Sequence, residues 1–191
     1  MKFNAKVHKR KSIRLKGYDY SQQGMYFVTV CTYNHHFLFG HIAEERMILN
    51  NAGRFANKCW VEIQEHFTHV ALDEFIIMPN HIHGIIIING KNVGANNYSP
   101  LQINQFRSPS RTIGSMIRGF KIGVTKWFRA NTNVYNVWQR NYYEHIIRNE
   151  KKLNKIREYI INNPLKWLLD RENPDRKGSD KLEEEIFGKS L

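Results

Sequence analysis

Two apolar runs stand back to back in this chain, VALDEFIIMP at residues 70–79 and HIHGIIIIN at 81–89. Each has the length of a strand, and the junction Pro79-Asn80 is turn-prone and lacks one backbone donor, so the runs read as an antiparallel pair. Any strand can bury Ile85 to Ile88. Two imidazoles, His81 and His83, at the mouth of the same run need a separate reason.

The flanking segments supply the rest of a sheet. GMYFVTVCTYN (24–34) sets Tyr26, Val28 and Val30 on one side and Phe27, Thr29 and Cys31 on the other, which predicts a strand covered on both faces. HIAEERMILN (41–50) forms a short extra strand or a loop. In NAGRFANKCWVEIQEHF (51–67), Phe55, Cys59, Ile63 and Phe67 recur every four residues, a helical stripe. From Ser110, Ile113, Met116, Ile117, Phe120, Val124, Trp127 and Phe128 share one helical face, opposite Arg111, Arg118 and Arg129. VWQRNYYEHII (137–147) alternates as a fourth main strand. Its Tyr142 and Tyr143 face opposite sides, as core or DNA-stacking aromatics. Asn149 caps a last helix that Pro164 ends. Strand, helix, strand, strand, helix, strand is the split βαβ order, so the expected class is α+β: a ferredoxin-like antiparallel sheet with helices on one face and an added C-terminal helix. In that order the first and third main strands pair at the centre, with the histidines at the start of the third.

Lys and Arg outnumber Asp and Glu by 29 to 17, a net charge of +12 that attracts a polyanion, nucleic acid first. Residues 1–16 concentrate the basic side chains without an acid and are expected to form an arm in which Lys9, Arg10, Lys11 and Arg14 meet phosphates. On the second long helix Arg111, Arg118, Lys121, Lys126 and Arg129 are the expected backbone contacts, or a solvated face. Residues 17–167 form the expected domain and 168–191 a charged tail. Residues 89–110, rich in Asn, Gly, Ser and Pro, read as a long loop. No apolar stretch nears the roughly 18 residues of a membrane span. Cys31 and Cys59 are too few for a disulfide framework, so a reducing cytoplasm is expected.

Side chains on a strand alternate, so His81 and His83 share a face about 7 Å apart and can converge on one ion; the alternative is two buried, hydrogen-bonded histidines. A pair needs a third ligand. Tyr159 and Asn163, four apart on the last helix beside the stripe of Leu153, Ile156 and Ile160, offer a phenolic oxygen and an amide oxygen. The alternative is a boundary core tyrosine and a helix-end asparagine. His35, His36 and His145 lack partner spacing and read as structural or surface residues.

FVTVCTYNHHFLFG, MPNHIHGIIII and VWQRNYYEHIIRNEKKLNKIREYIINNP resemble, in matching order over roughly residues 13 to 167, the single-tyrosine HUH transposases, most closely the REP-associated tyrosine transposases. The resemblance implies that His81 and His83 hold a divalent cation, that Tyr159 is the nucleophile, and that Asn163, where relatives often have Gln, is a third ligand. It implies Mg²⁺ or Mn²⁺ as cofactor, of which Mn²⁺ better tolerates a mixed nitrogen and oxygen shell. It implies a nicking and rejoining enzyme of the bacterial cytoplasm and nucleoid, acting on single-stranded DNA beside a hairpin or palindromic repeat, as a monomer or a homodimer. The competing reading is a non-catalytic single-strand-binding module with an RRM-like sheet, for which the set His81, His83 and Tyr159 has no use.

Overall fold

In a computed structural model, which describes residues 22–89 and 111–188, four main strands form one antiparallel sheet. The elements in order are β1 (Gly24–Cys31), β2 (Gly40–Ala43), β3 (Arg46–Leu49), α1 (Asn51–Val61), α2 (Ile63–His66), β4 (Val70–Ile77), β5 (His81–Ile88), α3 (Ile113–Asn131), β6 (Tyr143–Ile147), α4 (Glu150–Ile161) and α5 (Lys181–Phe187). The sheet order is β4-β5-β1-β6, the expected ferredoxin-like arrangement, and β2 and β3 form a separate hairpin. The basic arm, with Lys9, Arg10, Lys11 and Arg14, and nearly all of the 89–110 loop lie outside the described residues. Among the described residues no helix is long and apolar enough to cross a membrane.

Period-two alternation sorts the central strands into two cores. Tyr26, Val28 and Val30 of β1 join Ile82 and Ile86 of β5 in a cluster with α1 and α3. Phe27 and Ile85 turn the other way and pack with Ile147, with Leu153, Ile156, Tyr159 and Ile160 of α4, and with Ile186 of α5. The added helix therefore covers the sheet face that α1 and α3 leave open. Among the described residues both faces of the sheet are thus covered, by α1 and α3 on one side and by α4 and α5 on the other.

The stripe expected on the first helix is rotated. Ala52, Ala56 and Trp60 are buried, whereas Phe55 and Cys59 are only partly so, and Phe55 stacks on Trp127 of α3. Small residues at 52, 53 and 56 let α1 lie close to its neighbours, a term that large-side-chain spacing does not register. Gly84 has the same cause: a Cβ there would stand 2.3 Å from Trp60 Cζ2.

The fourth strand is shorter than its alternation suggests, Tyr143–Ile147 rather than 137–147. The preceding residues break the β1 register and meet the chain beyond β1 in one isolated antiparallel bridge, Thr32 with Trp138. Val137 O accepts from Tyr33 N, Gln139 N donates to Cys31 O, and the Lys121 ammonium donates to Gln139 O and Asn141 O at 2.8 Å each. The expected tail is corrected more strongly. Residues 167–187 turn through a 3-10 segment (Trp167–Leu169) into α5 and pack on the α4 face. Ion pairs Lys166 to Asp180 and Arg171 to Glu183 fasten them, so the charge that suggested a solvated tail is partnered.

Candidate metal and tyrosine site

His81 and His83 are 0% and 1% exposed, on the α4 face at the end of β5 that pairs with Cys31 and Thr29. Their rings lie 4.3 Å apart between centroids, closer than their backbone spacing, because both lean toward one point. Neighbouring groups select the tautomers. Asn80 Oδ1 accepts Nδ1–H of His81 at 2.8 Å, and the Thr29 hydroxyl meets Nδ1 of His83 at 2.9 Å. Each ring then keeps a lone pair on Nε2, the arrangement that second-shell partners give metal-binding histidines. Burial and the neighbouring His83 push His81 down to about 3, so it is a neutral imidazole at ordinary pH.

The third group comes from a residue to which the sequence reading gave no role. Asp170 Oδ2 is 3.9 Å from His81 Nε2 and 3.7 Å from His83 Nε2. Burial alone would raise its carboxyl, but the two imidazoles beside it and the hydrogen bond from Asn163 hold it below the usual carboxylate range. Asn163 is 2% exposed; its Nδ2 donates to Asp170 Oδ2 at 2.5 Å, while its Oδ1 is buried without a hydrogen-bond partner. His81 Nε2 is likewise buried and without a partner. A buried acceptor left unpaired costs about 1–3 kcal/mol, and two beside an anionic carboxylate form a donor set suited to a cation. Nitrogen and oxygen donors of this kind fit Mn²⁺ or Zn²⁺ better than Mg²⁺.

Tyr159 completes the arrangement. Helix α4 starts on the Asn149 cap, whose side chain accepts from Lys152 N at 2.8 Å, and is tied to β4 by a bidentate pair of Arg157 with Asp73. This places the Tyr159 hydroxyl 3.1 Å from His83 Nε2, 3.3 Å from Asp170 Oδ2 and 3.2 Å from Glu183 Oε1. One O–H faces three acceptors. Burial first, then Asp170 and Glu183, raise the phenol well above its ordinary value, so the resting group is a protonated donor. Trp167 stacks on His81 and Phe27 on His83, walling the site with apolar rings.

The structure thus brings together His81, His83, Tyr159 and Asn163. It does not bring the α3 cations to them. Arg111, Arg118, Lys126 and Arg129 are exposed, but α3 packs on the other face of the sheet. Lys121 is corrected: it is partly buried and bound to two carbonyls, and burial lowers its ammonium to about 8. Tyr142 and Tyr143 do face opposite sides, Tyr142 against the α1/α3 cluster and Tyr143 against the α4 cluster. Asp170, Glu172 and Glu183 were missed. Leu182 and Ile186, four apart, were the available hint that the charged end packs on something.

No family model matches the chain. A Haemophilus influenzae protein described as uncharacterized is 51% identical over 174 residues, covering 89% of this chain and 96% of that protein. Among solved structures, a REP-associated tyrosine transposase bound to a REP hairpin aligns with a TM-score of 0.55 at 18% identity, over 81% of this chain and 74% of that one. The likeness is one of fold.

Proposed function

We propose that this chain, which belongs to one family with the Haemophilus influenzae protein and has the fold of the REP-associated transposase, is a metal-dependent single-stranded DNA endonuclease and strand transferase. The observation that carries the reading is the phenol of Tyr159, 3.1 Å from His83 Nε2, beside a buried imidazole nitrogen and amide oxygen that nothing among the described residues satisfies. His81, His83 and Asp170, with Asn163, would hold the cation, and one chain supplies all of them. Bound there, a divalent ion neutralises a phosphodiester and polarises its phosphorus.

The residues of the chain account for the remainder. Thr29 and Asn80 aim the imidazoles, and Phe27, Trp167 and Ile85 exclude water. Loss of the phenol proton makes Tyr159 an oxygen nucleophile. Its attack forms a phosphorus–oxygen bond to Tyr159 and breaks the bond to the 3′ oxygen, which leaves as a hydroxyl. The 5′-phosphotyrosine keeps the ester energy, so a second 3′ hydroxyl can displace Tyr159 and rejoin a strand without ATP. Because Tyr159 is 3% exposed, α5, which sets Glu183 and Phe187 against it, must swing aside for a phosphate to reach the phenol while Asp170 stays in place. The substrate we assign is a single strand carrying a hairpin or palindromic repeat, with the basic arm of residues 1–16 as its phosphate contact.

The test is incubation with an end-labelled hairpin-bearing single strand and Mn²⁺, followed by a denaturing gel. A protein-linked band is expected from the native chain and none from Tyr159→Phe, which should still bind the strand. A band that persists in Tyr159→Phe refutes the assignment.

A further inference from the structure

A second set of ligating atoms lies at the end of β1, and the chemistry above does not use it. Cys31 closes β1 and is buried. The chain then enters a 3-10 turn (Tyr33–His35) in which Asn34 and His35 both take left-handed backbone, at φ 51° and 54°. That conformation is unfavourable for a residue with a Cβ, and here two in succession carry His35 back to the strand end. Glu172 arrives from the segment behind Asp170. Cys31 Sγ is 3.2 Å from Glu172 Oε2, His35 Nδ1 is 3.6 Å from the same oxygen, and the three ligand atoms all lie within 4.8 Å of one another.

The Cys31 thiol donates to Glu172 at 3.2 Å, whereas His35 Nδ1 stands at 3.6 Å, a spacing that an ion replacing the thiol proton would fit. Metal–sulfur bonds of about 2.3 Å and metal–nitrogen or metal–oxygen bonds of about 2.1 Å, opened to a tetrahedral angle, set neighbouring ligand atoms roughly 3.3–3.7 Å apart. His35 Nδ1 is too far from Glu172 for a hydrogen bond and is a buried atom with no partner. Its other nitrogen is fixed from behind. The Gln139 side-chain nitrogen, Nε2, stands 2.9 Å from His35 Nε2, on a backbone held by Gln139 N–H to Cys31 O and by Lys121 on the Gln139 carbonyl; the amide can be turned over in place. With the amide oxygen turned to that contact, it accepts Nε2–H and leaves a lone pair on Nδ1.

We propose that Cys31, His35 and Glu172 form a second divalent-cation site, of the zinc class, separate from the histidine pair and with one coordination position left open. Thiolate, imidazole and carboxylate together select Zn²⁺ over Mg²⁺ or Mn²⁺. Binding balances as loss of the Cys31 thiol proton to solvent and formation of a sulfur–metal bond, one proton per ion. The ion pins Glu172 to the end of β1. Glu172 O in turn accepts from Asn80 Nδ2 at 2.7 Å, so the site braces the residue that orients His81.

The experiment is titration of the full chain with Co²⁺, followed by near-ultraviolet and visible absorption. The native chain should bind two ions, one of them with a sulfur-to-cobalt charge-transfer band. Cys31→Ser and Glu172→Gln should each lose that ion and its band, while retaining the other ion. His81→Ala with His83→Ala should keep the band, so failure of the histidine site and failure of this one are told apart. Glu172 is only partly buried, so its variant remains folded if the serine variant does not. Absence of the band in the native chain, or its survival in Cys31→Ser, overturns the proposal.

Discussion

Replacing Asn80 by alanine tests whether the residue before the histidine pair sets the state of the site. Asn80 is fully buried, and its side chain makes two bonds: Oδ1 accepts from His81 Nδ1 at 2.8 Å and Nδ2 donates to Glu172 O at 2.7 Å. Truncation leaves the imidazole N–H unpaired at a residue with no exposure, which costs about 1–3 kcal/mol, and a half-buried carbonyl, which costs about 1 kcal/mol more. The metal-free protein should therefore lose about 2–4 kcal/mol in urea unfolding with chelator present. Freed from Asn80, the ring can place its proton on Nε2, and outer-partner losses of this kind weaken metal binding about 10- to 100-fold. Calorimetric Mn²⁺ titration would read that change. Asn80→Asp keeps the acceptor and removes the donor, so it should lose stability yet hold Mn²⁺ more nearly as the native chain does. If Asn80→Ala unfolds at the native midpoint, or binds Mn²⁺ with native affinity, the tautomer argument fails.

Two further outcomes follow from the packing and the burial. Gly84→Ala would set a Cβ 2.3 Å from Trp60 Cζ2 and 3.1 Å from Phe75 Cβ, and because Trp60 is fully buried the strand must shift, at a cost of about 1–3 kcal/mol or more in urea unfolding; native stability in this variant would mean that Trp60 has room to move. With chelator present, stability should decline as pH falls below about 6.5 toward 3. The unfolded chain protonates His81 near 6.5 and the folded one only near 3, a contribution of at most about 1.4 kcal/mol per pH unit. His145, lowered to about 4 by burial with Lys152 and Arg148, adds to the same window. His81→Gln should shallow the slope, and an unchanged slope would place the titration elsewhere.

The legible parts were those written in a period. Alternation in 24–31 and 81–88 gave both faces of the two central strands, and the 3.6-residue stripe gave α3 and α4, the latter with its Asn149 cap. The face shared by His81 and His83 followed from the same rule. Spacing of large residues misjudged α1, because Ala52, Gly53 and Ala56 decide how closely that helix approaches. Alternation overextended β6, because Lys121 takes the carbonyls of Gln139 and Asn141 and the pairing beyond Tyr143 shrinks to the isolated bridge of Thr32 with Trp138. Arg118, Lys126 and Arg129 of α3 are exposed, Lys121 is not, and the sheet lies between that helix and the histidines.

By itself the sequence determined which residues share a strand face or a helix stripe, since those relations span two to four positions and rest on backbone geometry alone. It thereby set the imidazole pair, the phenol and the amide on elements able to meet. Only the tertiary structure decided what closes around them. Asp170 and Glu183 belong to a segment whose charges look solvated in one dimension. They become buried there because the apolar α4 side of the sheet is completed only when residues 167–187 fold over it, and because His81, His83, Asn163 and Arg171 partner the carboxylates as they lose water.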